Sequence, residues 1–280
     1  MKESVFDLQN LRIEISFKSF EELRSILSFY EKNNLYKINI VCKNNLKTEF
    51  LLRSIGIARK EFPSIDLIPH FSILHEFKKN RLNTLNSFIE FLHVVNDLGC
   101  KEVLLVSGSQ KRKTLNSMTA LSFIKGNTFF IHSNFSIGVA FNPYLKSHFF
   151  EDEIINLKKK LQSGLVSSIW IQFGTDYKTL ELRLNLLKKI IDTNEYYKDA
   201  NRNVKLFGSI LVPSKQFLAR FKFRPWKGVY CSTEFLESID VAHNIVIDLF
   251  KTYKKNNIVP IIETDVSSEK KLNLLKTYIS

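Results

Sequence analysis

Polar residues that interrupt or end apolar runs are where chemistry can reside in this chain. Glu14 stands inside the run Leu11–Phe17, LRIEISF. A carboxylate within an apolar strand costs several kcal/mol unless it is paired or protonated, so Glu14 has either a reacting role or a cationic partner. His70 follows Pro69 near the end of Ile65–Ser72. It reads as a site residue or as a structural histidine, and no second His or Cys stands at ligand spacing. His75, five residues on, is not part of a HExxH pattern, so no metal is expected. Gln172 ends the run IWIQF. Its amide can donate and accept, which suits the edge of a planar heterocycle, the alternative being an amide tied to neighbouring backbone. Ser107, Gly108 and Ser109 open the stretch LVSGSQKRK, where hydroxyls, backbone N–H groups and the charges of Lys111, Arg112 and Lys113 could hold an anion. With one glycine, this stretch equally fits a solvated basic loop. No Walker pattern, GxSxG elbow or Ser/His/Asp or Cys/His signature occurs.

The elements that must position these residues follow from alternation along the chain. Apolar, β-branched runs at Leu11–Phe17, Tyr36–Cys42, Ile65–Ser72, Glu102–Ser107, Ser136–Phe141, Ser167–Phe173, Val204–Val212 and Ile258–Thr264 are separated by helical periodicity. Several of these runs are nearly continuous, as strands buried on both faces require. Phe20, Leu23, Leu27 and Tyr30 share one helical face, and a single long helix is expected from an N-cap near Thr233 through Lys254. Gly99 and Gly164 fall where left-handed helix ends are wanted.

Eight strand–helix units in one domain over residues 1–280 predict an α/β fold, a single (β/α)8 TIM barrel. An open doubly wound sheet would need a G-x-G-x-x-G turn, which is missing. In a barrel the site lies at the C-terminal strand ends, which adds Ser72, Asn142, Ser214, Glu263, Thr264 and Asp265 to the candidates.

Composition sets the outer limits. Of 280 residues, 44% are hydrophobic and 25% charged, which excludes disorder and collagen-like repeats. No run of about eighteen uncharged apolar residues occurs, so no membrane span is expected. Met1 to Asn10 has no apolar core and carries Glu3 and Asp7, unlike a secretory signal or a transit peptide. Three widely spaced cysteines fit a reducing compartment, so a cytoplasmic location is expected, with the mitochondrion left open. The net charge of +13 invites a nucleic-acid partner, but the charge is spread over most helices and no aromatic-basic RNA motif is read in the sequence, so this partner is not favoured. Nine glycines, against roughly twenty at average usage, argue against several phosphate loops.

Six short stretches together resemble the methylenetetrahydrofolate reductase family: IEIS at Ile13–Ser16, Pro69–His70, IGVAFNP at Ile137–Pro143, LKKKLQSG at Leu157–Gly164, IQF ending at Phe173, and the closing pair reaching Ile261, Ile262 and Thr264. The resemblance implies a flavin-dependent barrel that reduces a folate-bound one-carbon unit with NAD(P)H. It implies Glu14 as the acid, Gln172 against the pterin or nicotinamide, and FMN or FAD held by His70, Ser107, Gly108, Ser109, Asn142 and Lys160. The family's Arg-Gly-Asp is Ser107–Gly108–Ser109 here, and its Thr-Tyr-Gly is Val41–Cys42–Lys43. These departures imply a second outcome, a flavin-free barrel that binds or scaffolds rather than catalyses.

Overall fold

A computed structural model describes residues 6–41, 48–74, 80–108, 115–127, 135–198 and 203–279. Eight parallel strands close into a barrel in chain order: β1 Arg12–Ile15, β2 Lys37–Ile40, β3 Asp66–Ser72, β4 Glu102–Val106, β5 Ser136–Phe141, β6 Val166–Ile171, β7 Lys205–Ile210 and β8 Ile258–Ile262. Closure comes from β1 pairing with β8, Arg12 opposite Ile261 and Ile13 opposite Ile262. All eight strands fall on the apolar runs of the sequence; β5 has the bounds of its run, β6 starts one residue earlier than its run and ends two residues sooner, and the others are shortened.

The helices wrap this barrel: α1 Phe20–Lys32, α2 Thr48–Glu61, α3 Arg81–Asp97, α4 Ser117–Ile124, α5 Ser147–Leu161, α6 Tyr177–Asp192, α7 Glu195–Lys198, α8 Lys215–Phe223, α9 Thr233–Glu237, α10 Ile239–Lys255 and α11 Glu269–Ile279. The expected long helix from Thr233 is two helices. Ser238 adopts an extended conformation (φ −131°, ψ 129°) and its side chain accepts from the Val241 N–H, starting a new helix three residues before that donor. Serine is a favoured N-cap because it satisfies a donor that the helix itself leaves unpaired. Gly99 and Gly164 hold φ of +83° and +73° just beyond α3 and α5, as their places in the sequence predict.

Strand residues alternate between two cores. Outward side chains such as Ile13, Ile38, Val103 and Ile169 pack under the helices, and each is essentially inaccessible. Inward side chains Ile68, Leu104, Trp170, Phe207 and Ile261 form a separate cluster along the barrel axis. With about one residue of stagger per strand, inward positions fall into levels of four from alternate strands. From the N-terminal end these read Lys37, Glu102, Ser168 and Val259, then Arg12, Ile68, Gly138 and Phe207, then Asn39, Leu104, Trp170 and Ile261. Above them lie Glu14, His70, Ala140 and Ser209, and finally Val41, Val106, Gln172 and Glu263.

Trp170 fills the middle level. Its ring lies 4.5 Å from that of Phe207, and its Nε1–H donates to Ser168 Oγ at 2.7 Å. Ser168 in turn donates its hydroxyl to the buried Glu102 carboxyl. The indole fits because the facing residue is Gly138, where a Cβ would come within 2.4 Å of Trp170 Nε1 and 2.6 Å of Ser168 Oγ. Gly138→Ala is therefore expected to lose about 1–3 kcal/mol, as overpacked cores do. Urea denaturation measures this, and a loss within error of zero would show that the indole is not held against β5.

Burial pushes the Glu102 carboxyl above its ordinary range, while the Ser168 bond and the charge of Arg12 pull it back. A raised folded-state pKa means that Glu102 contributes stability below the ordinary value near 4.5 and loses it as the pH rises through the raised one. Glu102→Gln, neutral throughout, should thus gain progressively on the wild type as the pH rises above the ordinary value near 4.5 in the same denaturation assay. A difference that does not change with pH would contradict this assignment.

Candidate functional site

The C-terminal mouth of the barrel is floored by the Trp170 level and ringed by the two levels above it. His70 and Ser209 are buried, whereas Glu14, Ala140, Val106, Gln172 and Glu263 are partly open to solvent. The last β1–β8 pair is Ile13 with Ile262, and Glu14 and Glu263 are the next residue on each side of it; the Glu263 N–H donates to Ile210 O of β7 at 3.0 Å, which keeps that end of β8 extended along the barrel. Glu14 and Glu263 are consequently next to each other on adjoining strands, at about the 4.8 Å strand spacing. Both project inward, because the alternation that turns Ile13 and Ile262 to the helices turns their neighbours to the axis.

A buried polar chain runs into this site from below. Arg12, 3% exposed, bridges to the Asp66 carboxylate and donates to Ile38 O (2.9 Å) and to the Asn39 side-chain oxygen (3.2 Å). Burial lowers the Arg12 pKa, and Asp66 and Glu102 oppose that effect. Asn39 then meets His70 Nε2 at 3.0 Å. Since the amide oxygen of Asn39 is engaged by Arg12, its NH₂ faces the imidazole and Nε2 must accept. The neutral ring therefore carries its proton on Nδ1. The edge of the His70–Trp170 contact, at 5.8 Å and 82°, fixes the ring plane.

The remaining expected site residues are not brought together. Ser107 donates to Ser117 Oγ (3.0 Å) and accepts from the Ser117 N–H (2.9 Å), tying the end of β4 to the start of α4. Gly108 has φ +88° and leaves room for Leu74, whose Cβ would lie 2.5 Å from an added methyl. Ser109, Lys111, Arg112 and Lys113 lie outside the described residues. Asn142 donates to Gly228 O (2.8 Å) and accepts from the Tyr144 N–H (3.0 Å), so both ends of its amide hold loops. Lys160 belongs to α5, packed on β5 from outside, and its Nζ donates to Ala140 O at 2.9 Å. Burial lowers its pKa, with Glu153 opposing. Ser214 caps α8, and Thr264 accepts from the Val212 N–H. Among the described residues, the polar atoms of Ser107, Asn142 and Lys160 are thus engaged by loops and backbone. Among the described residues, no three His, Cys, Asp or Glu side chains converge as metal ligands, and no helix is long and apolar enough to cross a membrane.

Two contributors, Arg12 and Asn39, and one pairing, that of Glu263 with Glu14, were less visible in the sequence. Asn39 and Arg12 carry the same signal as Glu14, a polar residue inside an apolar strand, but their linkage to His70 depends on the register of three strands. Glu263 is a strand-end carboxylate whose pairing with Glu14 appears only on barrel closure.

No family model matches the chain, and no curated protein matches it. Solved structures do. A protein assigned as a deoxyribose-phosphate aldolase from Toxoplasma gondii ME49 is 10% identical, with a TM-score of 0.54 over 96% of this chain and 93% of its own. An aldo/keto reductase from Klebsiella pneumoniae is 9% identical, with a TM-score of 0.52 over 96% and 84%. N-acetylneuraminate lyase from Fusobacterium nucleatum is 16% identical, with a TM-score of 0.45 over 96% of both chains. At these identities the likeness shows the barrel alone.

The resemblance to methylenetetrahydrofolate reductases, and with it flavin-dependent folate reduction with NAD(P)H, is corrected by these findings. No family model and no curated protein supports the reductase assignment, and the solved structures matched with a TM-score above 0.5 are a protein assigned as an aldolase and an aldo/keto reductase, whose likeness extends to the barrel alone. The physical reason lies in what the six stretches do. IGVAF is a β5 strand with the glycine that admits Trp170, and LKKKLQSG is a helix ending in a left-handed glycine. Such features serve any barrel.

The polar chain gives a test of its own. Asn39→Asp offers only acceptors, so the imidazole proton is expected to move to Nε2. Imidazole ¹⁵N shifts read the tautomer directly, and an unchanged Nδ1–H form would disprove the chain from Arg12 to His70.

Proposed function

We propose that the barrel mouth is an acid–base site acting on a small hydroxy-carbonyl compound, of the isomerase or lyase type. The observation that carries this reading is the neighbouring placement of Glu14 and Glu263 above the Trp170 floor, with His70 on the level of Glu14. Of two neighbouring carboxyls, one can serve as the base and the other as the acid of the same reaction. The base removes a proton from the carbon beside the carbonyl. The electron pair moves onto the carbonyl oxygen, and the second carboxyl delivers its proton there, leaving an enediol. Returning the first proton to the adjacent carbon, while the second carboxylate takes the proton of the other hydroxyl as the new carbonyl forms, completes an isomerisation and restores both carboxyls. In the lyase direction, the same groups stabilise the enol released by carbon–carbon cleavage.

Gln172, on the same level as Glu263, can donate its amide N–H to the developing oxyanion, as donors in such sites do. A neutral histidine held in one tautomer is the form suited to donating a hydrogen bond without transferring its proton irreversibly. Imine chemistry is disfavoured, because no lysine occupies an inward position at or above the Asn39 level among the described residues. The lysines borne by strands are Lys37 and Lys205, both at N-terminal ends, and Lys160 lies behind β5. A Schiff base requires an amine within reach of the carbonyl.

The expected kinetics separate these roles. On a panel of dihydroxyacetone, glycolaldehyde, erythrulose and pyruvate, Glu14→Gln and Glu263→Gln should each lower kcat by about 10²–10⁴ with small changes in KM. Gln172→Ala should cost about 10²-fold. Turnover that survives both glutamate substitutions would eliminate the carboxyl pair as the reacting groups.

A further inference from the structure

The segment Ser214–Ser232, which follows β7, has a composition unlike the rest of the surface. It carries Lys215, Arg220, Lys222, Arg224 and Lys227, and no Asp or Glu occurs between Asp199 and Glu234. All five basic side chains are exposed. Among them stand three exposed aromatic rings: Phe223 at 93%, Trp226 at 42% and Tyr230 at 43%.

Two of these rings are held rigidly with part of each surface open. Trp226 packs against Phe217 at 5.4 Å and Phe221 at 6.1 Å. Tyr230 lies nearly parallel to Tyr144, at 6.4 Å and 8°. The backbone between them is fastened to the barrel rim. Asn142 donates to Gly228 O at 2.8 Å, the Thr175 N–H donates to Tyr230 O at 3.1 Å, and the Ser232 N–H donates to Thr175 Oγ1 at 2.7 Å. Tyr230 comes four positions after Trp226, so their Cα atoms are within about 14 Å of each other. The arrangement is a pair of fixed aromatic platforms beside a one-signed field.

We infer that this segment binds single-stranded nucleic acid, with bases stacking on Trp226 and Tyr230 and phosphates facing Lys222, Arg224 and Lys227. Stacking on aromatic faces next to a positive track is the physics of sequence-tolerant single-strand binding. A lipid surface fits less well, because a helix that lies in a membrane turns an apolar face outward. The apolar residues Leu218 and Phe221 of α8 are buried, while Lys215, Gln216, Ala219, Arg220 and Lys222 face solvent. The inference is independent of the acid–base reading of the mouth, since it uses none of Glu14, His70, Gln172 or Glu263.

The test uses the full chain with a fluorescein-labelled oligouridine of twelve residues, with an oligodeoxythymidine of equal length as the DNA arm. Anisotropy across a salt series gives affinity and slope, and quenching of tryptophan emission reports stacking, as Trp226 is exposed and Trp170 buried. Wild type is expected to bind with quenching. The double variant W226A/Y230A should weaken binding about tenfold or more and abolish the quenching. The triple variant K222E/R224E/K227E changes only exposed side chains. It should reduce the salt slope by about two, at roughly 0.7 per single-strand phosphate contact. Binding that is unaffected by W226A/Y230A, or unaffected by the triple variant, would overturn the assignment and leave dispersed charge as the cause. Binding to phosphatidylserine vesicles without binding to either oligonucleotide would overturn it in favour of a membrane surface.

Discussion

The upper half of this barrel rests on one side chain, Trp170. An eight-stranded barrel encloses a space that side chains must fill, and four residues per level rarely do so without one large ring and one small partner. Here the indole takes that volume and Gly138 yields it. Three consequences follow from the same placement. The indole N–H is satisfied from below by Ser168, the ring edge orients His70 from above, and the apolar face becomes the floor of the mouth. A polar group in place of the indole would admit water to the axis, and the buried ionic groups beneath it would lose the low-dielectric surroundings that order them.

Those ionic groups give the interior a direction. Arg12 lies under the floor with its guanidinium shared between Asp66, backbone carbonyls and Asn39. Asn39 passes that orientation to His70, whose tautomer is thereby set at a distance from any solvent. Buried polar chains of this kind are costly when incomplete and rigid when complete. The result is a mouth whose histidine, amide and carboxyls are placed by strands rather than by loops. Strand placement supports the precision that proton transfer between carbon and oxygen demands.

Much of this was legible in the amino-acid sequence, for identifiable reasons. The strands are nearly continuous apolar runs because both faces are buried, so their number and order could be read one by one. Glu14, His70 and Gln172 stood out as polar residues in or at the ends of such runs, and the barrel turns all three inward. Register was not legible. Whether Glu14 adjoins Glu263, or Arg12 reaches Asn39, depends on how β1 meets β8 and β2, which spacing along the chain does not encode. Asn142 and Ser107 were polar at strand ends for another reason: their side chains tie loops to the barrel. Lys160 misled because its position in a helix says nothing about which surface its amine meets. The six stretches that resembled a reductase family reflect strand burial and helix capping, demands shared by every protein of this architecture.

The central claim is that the paired carboxyls at the mouth move a proton at the carbon beside a carbonyl. Incorporation of deuterium from D₂O into dihydroxyacetone, glycolaldehyde, erythrulose and pyruvate, followed by ¹H NMR, tests it most directly. The account predicts that the protein accelerates loss of the C–H signal of at least one of these compounds, and that Glu14→Gln returns the rate to that of the buffer. Wash-in no faster than buffer for every compound, or equal in the wild type and Glu14→Gln, would contradict it.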